Sequence, residues 1–296
     1  MKLSLINGSP RGKSSNTKII LDKFLEGYCS VDGNFELEEA YLTTLSLPYK
    51  LQARAGKFRS NFGKINRIHP HALPYPDLPA MSEYYFGDEG LKDEGVSVDW
   101  LLPNRAFFQE LTFEFTRGPS ENPSYERSEK SRYLYLGRLK NFWDLSRNTT
   151  LEFGVSGSAG PNSDGGTTTI AGADFTYIWK PLRRNTYKSV VLQAEGLISS
   201  RKSGGGETVT SFGMYALVNY QLSQRLYLIG RFDHSDLPDD AGWNENAVLG
   251  SLGWHATEFQ KMELALKIRE GARFDRTWEV LARLIFVIGT HGAHEY

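Results

Sequence analysis

The feature that most constrains this 296-residue chain is an alternation of apolar and polar side chains, sustained from about residue 36 towards the C-terminus. Phe212, Met214, Ala216, Val218, Tyr220 and Leu222 share one face of an extended segment, with Tyr215, Leu217, Asn219 and Gln221 on the other. Met262, Leu264, Leu266 and Ile268 alternate with Glu263, Ala265, Lys267 and Arg269. Trp278, Val280, Ala282, Leu284 and Phe286 alternate with Glu279, Leu281, Arg283 and Ile285. Phe113 and Phe115 oppose Glu110, Thr112 and Glu114, and Ala173, Phe175 and Tyr177 oppose Asp174 and Thr176. Successive strand side chains point to opposite faces, so each segment reads as a strand with one apolar and one polar face. The spacing predicts about thirteen strands (12–14), many of them longer than the usual strand of a soluble sheet. No helix of ordinary length is expected beyond residue 35.

Composition agrees. Hydrophobic residues make up only 40% of the chain while aromatics reach 13% and glycines number 29, which suits one-faced strands better than a helical bundle. Lys+Arg (34) and Asp+Glu (35) nearly cancel, so no basic field marks a nucleic-acid partner. The single cysteine, Cys29, excludes an intrachain disulfide and a thiolate zinc cluster. No apolar run approaches the roughly 18 residues of a membrane-spanning helix.

The connections between strands are expected to alternate in length. Short ones (46–50, 103–105, 146–148, 181–186, 223–225, 256–259) are interleaved with longer ones (64–95, 118–131, 159–167, 202–207, 234–246, 270–276). Tight turns at one end of a sheet and loops at the other are the pattern of an antiparallel transmembrane β-barrel, whose partners are outer-membrane lipid and small solutes or ions. Tyr133, Tyr135, Trp143, Trp179, Tyr187, Trp254 and Trp278, near strand ends, would form interfacial girdles. The polar face would line the lumen through Arg54, Asp99, Glu110, Arg138, Lys140, Asp174, Glu195, Arg231, Lys267, Arg269 and Arg283. Mixed charge of this kind either sets selectivity in a water-filled channel or closes a narrow barrel with salt bridges. The Pro-rich stretch 70–79 is long enough to fold inward as a constriction or plug. His69 and His71 are weak metal candidates, as are His291 and His294, because a site needs three or four converging ligands. No Ser/His/Asp pattern marks a hydrolase.

Residues 35–296 resemble a bacterial outer-membrane β-barrel family of TonB-dependent-receptor-like or porin-like character. The resemblance rests on GKFRSNFGKINRIHPHALPYPDLP (56–79), FGDEGLKDEGVSVDWLLP (86–103) and FVIGTHGAHEY (286–296). The N-terminal plug and the roughly 22 strands of a true TonB-dependent receptor are not expected, so a passive or gated barrel is implied.

Residues 1–34 read differently: a short strand at Leu3–Ile6, the loop NGSPRGKSSNT and a helical pattern from Thr17 to Gly27. That order offers free backbone N–H groups to an anion. The loop resembles the first loop of flavodoxin-like NAD(P)H-dependent FMN reductases. The resemblance implies Ser9, Arg11, Ser15, Asn16 and Thr17 as holders of an FMN phosphate. No further βα unit follows, so an incomplete fragment and no bound cofactor are expected.

The sequence therefore reads as a fragment (1–34) joined to an outer-membrane barrel (35–296), non-catalytic, with a channel or solute-uptake role. Alternatives are an FMN reductase, from the N-terminal motif, and a structural or adhesion barrel with a plugged lumen. The N-terminus lacks a signal-peptide core, and one strand and an export signal are expected to be missing upstream of residue 35. With an odd strand count the first and last strands run in the same direction. An incomplete seam is thus expected between 36–45 and 277–289.

Overall fold

The computed structural model describes residues 39–286, apart from 45–46, 105, 120–121, 128–132, 185 and 258. The 1–34 fragment, with Ser9, Arg11, Ser15, Asn16 and Thr17, lies outside the described residues, as do His291 and His294.

The described chain is a single antiparallel sheet in which each strand pairs with its sequence neighbours. In order these are β1 (Ala40–Thr43), β2 (Leu51–Arg59), β3 (Lys92–Leu101), β4 (Phe108–Thr116), β5 (Leu134–Ser146), β6 (Thr149–Pro161) and β7 (Thr167–Trp179). They continue with β8 (Ser189–Lys202), β9 (Thr208–Gln221), β10 (Leu226–Asp236), β11 (Asn244–Thr257), β12 (Gln260–Gly271) and β13 (Phe274–Phe286). The alternation in sequence becomes alternation in burial: β9 buries Ser211, Tyr215, Leu217 and Gln221 and presents Phe212 and Val218 outward. On β12 and β13, Leu264, Leu266, Trp278 and Val280 are exposed, Val280 by 73%. Tyr135, Tyr187, Trp254 and Trp278 are exposed, whereas Trp143 and Trp179 are half-buried.

The connections differ from expectation. Long loops are confined to the first half of the chain, at 60–91 and 117–133. Strands β6 to β13 extend further than expected and absorb their loops, leaving 162–166, 203–207, 237–243 and 272–273 at that end. Long antiparallel pairs satisfy backbone groups continuously, so residues free to pair join the ladder.

The β2–β3 connection turns inward. It forms two single-turn 3₁₀ segments and a short helix, α1 (Ala80–Phe86), and supplies much of the buried core: Phe62, Ile65, Leu73, Tyr75, Met81, Tyr85, Phe86 and Leu91. This plug touches side chains from nearly every part of the sheet, so the sheet is wrapped around it. The Pro-rich stretch 70–79, long enough in sequence to fold inward, does so as part of this connection, and the lumen is filled from within the barrel sequence.

Among the described residues β1 and β13 share no ladder. An odd number of meandering strands leaves the two edges parallel in direction, with no antiparallel register to form. Adjacent plug residues staple the gap instead. His69 Nε2 lies 3.2 Å from Glu39 Oε2, just before β1, and Arg283 Nη1 of β13 donates to the Pro70 carbonyl at 2.9 Å.

Candidate functional site

The site is the boundary between plug and barrel wall, and it is built by satisfying plug backbone groups. Irregular backbone inside a sheet lacks ladder partners, and each unpaired buried N–H or C=O costs free energy. The wall supplies the missing partners, with a sign that depends on position.

Along the first limb, residues 59–65, the exposed backbone groups are N–H donors and the wall presents acceptors. Glu39 accepts from the Arg59 N–H at 2.8 Å and Glu114 of β4 from the Asn61 N–H at 3.1 Å. Ser156 of β6 accepts from the Gly63 N–H at 3.1 Å. Glu195 Oε2 of β8 accepts from the N–H groups of Lys64 and Ile65, both at 3.1 Å. Gly63 adopts φ +58°, and a Cβ there would lie 1.6 Å from Glu195 Oε1, so only glycine permits this approach. Lys64 Nζ pairs with Glu152 of β6 at 3.1 Å. Asn66 ties the two ends of the plug together: its amide donates to the carbonyls of Ser60 and Leu91, and its Oδ1 accepts from the Leu91 N–H.

Along the second limb, residues 70–78, the situation reverses. Pro70, Pro74 and Pro76 remove donors and leave carbonyls. Here the wall is cationic. Arg231 of β10 donates to the carbonyls of Asp77 (3.1 Å) and Leu78 (3.2 Å) and to the Asp77 carboxylate (3.1 Å). Its guanidinium lies 4.6 Å from the Tyr75 ring centroid. Asp233, two residues along the strand, holds it at 3.0 Å. Lys267 of β12 pairs with Asp77 at 2.9 Å, and Lys261 donates to the Leu73 carbonyl at 3.1 Å. Arg283 of β13 donates to the carbonyls of Pro70 and Leu73 while Glu263 holds it from the neighbouring strand.

Beyond the second limb, α1 seats against β9 and β10. A Cβ at Gly213 would fall 2.7 Å from Met81 Cγ, so the bare backbone at Gly213 makes the seat. Tyr84 OH donates to Glu245 of β11 at 2.6 Å. Burial is the main cause that pushes the Tyr75 phenol above its ordinary range, with nearby Asp77 adding to it. Tyr75 therefore stays a neutral ring beneath Arg231.

The eleven lumen positions named from the sequence all lie on strand positions of the inward face. Glu195, Arg231, Lys267 and Arg283 contact the plug. Arg138 pairs with Asp174 at 2.8 Å, and Arg269 with Glu279 at 2.7 Å. Asp99 accepts from Thr112 at 2.6 Å, and Glu110 stands opposite Lys140. Arg54 packs over the rings of Tyr41 and Phe58. Of the two open readings of mixed interior charge, this is the salt-bridged one, with plug backbone completing the pairs. His69 and His71 stack at 5.3 Å, and among the described residues no group of three or more His, Cys, Asp or Glu could hold a metal. Sequence reasoning passed over Lys64, Asn66 and Asp77, the plug's own contributors. The signal available was the run of prolines at 70, 74, 76 and 79, which removes donors from a segment rich in apolar side chains.

No family model matches the chain. An uncharacterized protein of Aquifex aeolicus (strain VF5) is 29% identical, the match covering 93% of this chain and 67% of that protein. Among solved structures, a KdgM porin in complex with disordered oligogalacturonate is similar with a TM-score of 0.30 and 8% identity, over 67% of this chain and 93% of that one.

Proposed function

We propose that the chain is an outer-membrane β-barrel that passes small solutes or ions, held shut at rest by the plug of residues 60–91. The observation that carries this reading is the division between the two faces of one continuous sheet. Outward positions carry exposed Phe113, Phe153, Phe175, Leu192, Phe232 and Leu264, a surface suited to lipid. Inward positions carry paired charges. A soluble sheet of this size exposing so much contiguous apolar surface would aggregate. The plug is held by hydrogen bonds and ion pairs as well as by its apolar core, and such polar contacts exchange with water more readily than apolar packing does. The reading involves no catalysis and no cofactor.

The experiment is conductance across planar bilayers containing the purified full chain. Low conductance at rest is expected, rising when residues 72–78 are replaced by a Gly/Ser segment. A chain that stays soluble without detergent and never alters bilayer conductance, with or without the segment, would refute the proposal. Purified chain is also expected to lack flavin absorbance; a bound-flavin spectrum would favour the reductase alternative.

A further inference from the structure

Resting on the channel reading above, we infer that the β10–β13 wall is a binding site for a polycarboxylate solute, and that residues 72–78 of the plug occupy it as an internal surrogate. The strap is chemically unlike its surroundings. Leu73, at φ −61°, ψ 144°, leaves the preceding 3₁₀ turn in the polyproline II region and Pro79, at φ −58°, ψ 140°, leads into α1 in the same region, while residues 73–77 of the strap bend along the wall. Its prolines delete donors, so what it shows the wall is a row of carbonyl oxygens and one carboxylate, Asp77.

The wall answers with four cations. Arg231, Lys261, Lys267 and Arg283 all direct donors at this segment. Strand neighbours pre-set the two arginines: Asp233 holds Arg231 and Glu263 holds Arg283. Lys267 pairs with Asp77 itself, so withdrawal of the strap removes its counter-ion. Arg231 and Lys267 are buried and Lys261 and Arg283 half-buried. With the strap withdrawn, Asp233 still faces Arg231 and Glu263 is shared by Lys261 and Arg283, so four cations face two wall carboxylates and donors are left facing the lumen in want of an acceptor. A solute bearing several oxygen acceptors and carboxylates supplies that chemistry; a cation or a neutral donor-rich solute does not.

The two ends of the strap are fixed independently of it. His69 is tied to Glu39, and α1 is seated by apolar contacts at Met81, Tyr85 and Phe86. Between those ends the Tyr75 hydroxyl has no hydrogen-bond partner among the described residues, so the surrogate fits the wall incompletely. A better-matched ligand can displace it while the plug remains attached at both ends.

Conductance of the full chain in planar bilayers tests this with hexaglutamate as the probe, against maltohexaose and hexalysine. Hexaglutamate is expected to raise conductance in a saturable manner, and the two controls are not. Asp77→Asn weakens the internal competitor and is expected to lower the half-maximal hexaglutamate concentration about tenfold. Equal responses to hexaglutamate and maltohexaose, or an unchanged half-maximal concentration in Asp77→Asn, would overturn the inference. A readout that leaves the charges intact is thiol labelling of Leu73→Cys in a Cys29→Ser background. Hexaglutamate should speed the labelling, and an unchanged rate argues against displacement. Replacing 72–78 by Gly/Ser separates the two proposals. If that variant never conducts, the channel reading fails. If it conducts but hexaglutamate does not lower its current towards that of the ligand-treated full chain, only the polycarboxylate site fails.

Discussion

The two limbs of the plug are held by opposite chemistry. Residues 59–65 are fastened through their N–H groups to the carboxylates of Glu39, Glu114 and Glu195, whereas residues 70–78 are fastened through their C=O groups to Arg231, Lys261 and Arg283. The difference teaches that wall charge follows the polarity of the backbone it has to satisfy. A limb that keeps its amides needs acceptors; a limb stripped of them by proline needs donors. It also makes the limbs unequal in energy. The first is held mainly by side-chain oxygens accepting from neutral backbone N–H groups, with one ion pair, Lys64–Glu152. The second centres on Arg231, buried with Asp233 and paired with Asp77, and its loss leaves the buried Asp233 without a partner.

The largest expected effect is at that centre. Arg231→Met leaves the buried Asp233 uncompensated and Asp77 with Lys267 alone, and is expected to destabilise the folded barrel by about 3–5 kcal/mol in urea unfolding from lipid. Adding Asp233→Asn should recover part of the loss. A cost no greater than that of a first-limb variant would break the comparison.

Next comes a control that leaves both limbs alone. Met214→Arg or Leu266→Arg places a charge on the outward face. Insertion into lipid should be disfavoured by about 2–4 kcal/mol if the site lies near the bilayer midplane. Normal insertion of both would show that this face does not meet lipid, and effects assigned to the plug would need another reference.

A first-limb substitution should cost less. Glu114→Leu strands the Asn61 N–H and is expected to cost about 1–3 kcal/mol. Glu114→Gln, which keeps an acceptor, should recover most of it. If both variants match Arg231→Met in the same unfolding assay, the limbs are equivalent after all.

The smallest effect is pH-dependent and concerns the staple across the open seam. Burial alone would raise the Glu39 carboxyl, but its bonds from the His69 ring and the Arg59 N–H outweigh this and hold it below its ordinary 4.5. Its stabilising share is therefore fully present above that value and lost as the carboxyl protonates at lower pH. Acidification below about pH 4 should increase proteolytic access to the 39–44 segment in wild type and have no such effect in Glu39→Gln.

Much of the wall was legible in sequence because a strand encodes its two faces directly. Every second residue separates Leu264 and Leu266 from Lys267, and Phe212 and Val218 from Tyr215. The same alternation placed Arg231 and Arg283 on the inner face but said nothing about what they hold. Their partners are the Asp77 carboxylate and the carbonyls of Pro70, Leu73 and Leu78, more than a hundred residues away. A carbonyl is common to every residue and leaves no trace in the sequence. Loop lengths misled for a related reason: β6 to β13 pair beyond their apolar alternation, since hydrogen bonding in a ladder does not depend on side chains.

By itself, then, the sequence determined strand number, the inward and outward sets, and the parallel direction of the first and last strands. Each follows from a local rule, the alternation of side chains or the parity of a meander. Tertiary structure decided that the whole β2–β3 connection, and not the Pro-rich stretch alone, fills the lumen, and that His69 and Pro70 stand across the seam that strand parity leaves open. Those outcomes depend on where an irregular segment finds donors and acceptors once the sheet has curled. That is a property of three-dimensional proximity between residues such as Asn61 and Glu114, or Asp77 and Lys267, which no local pattern records.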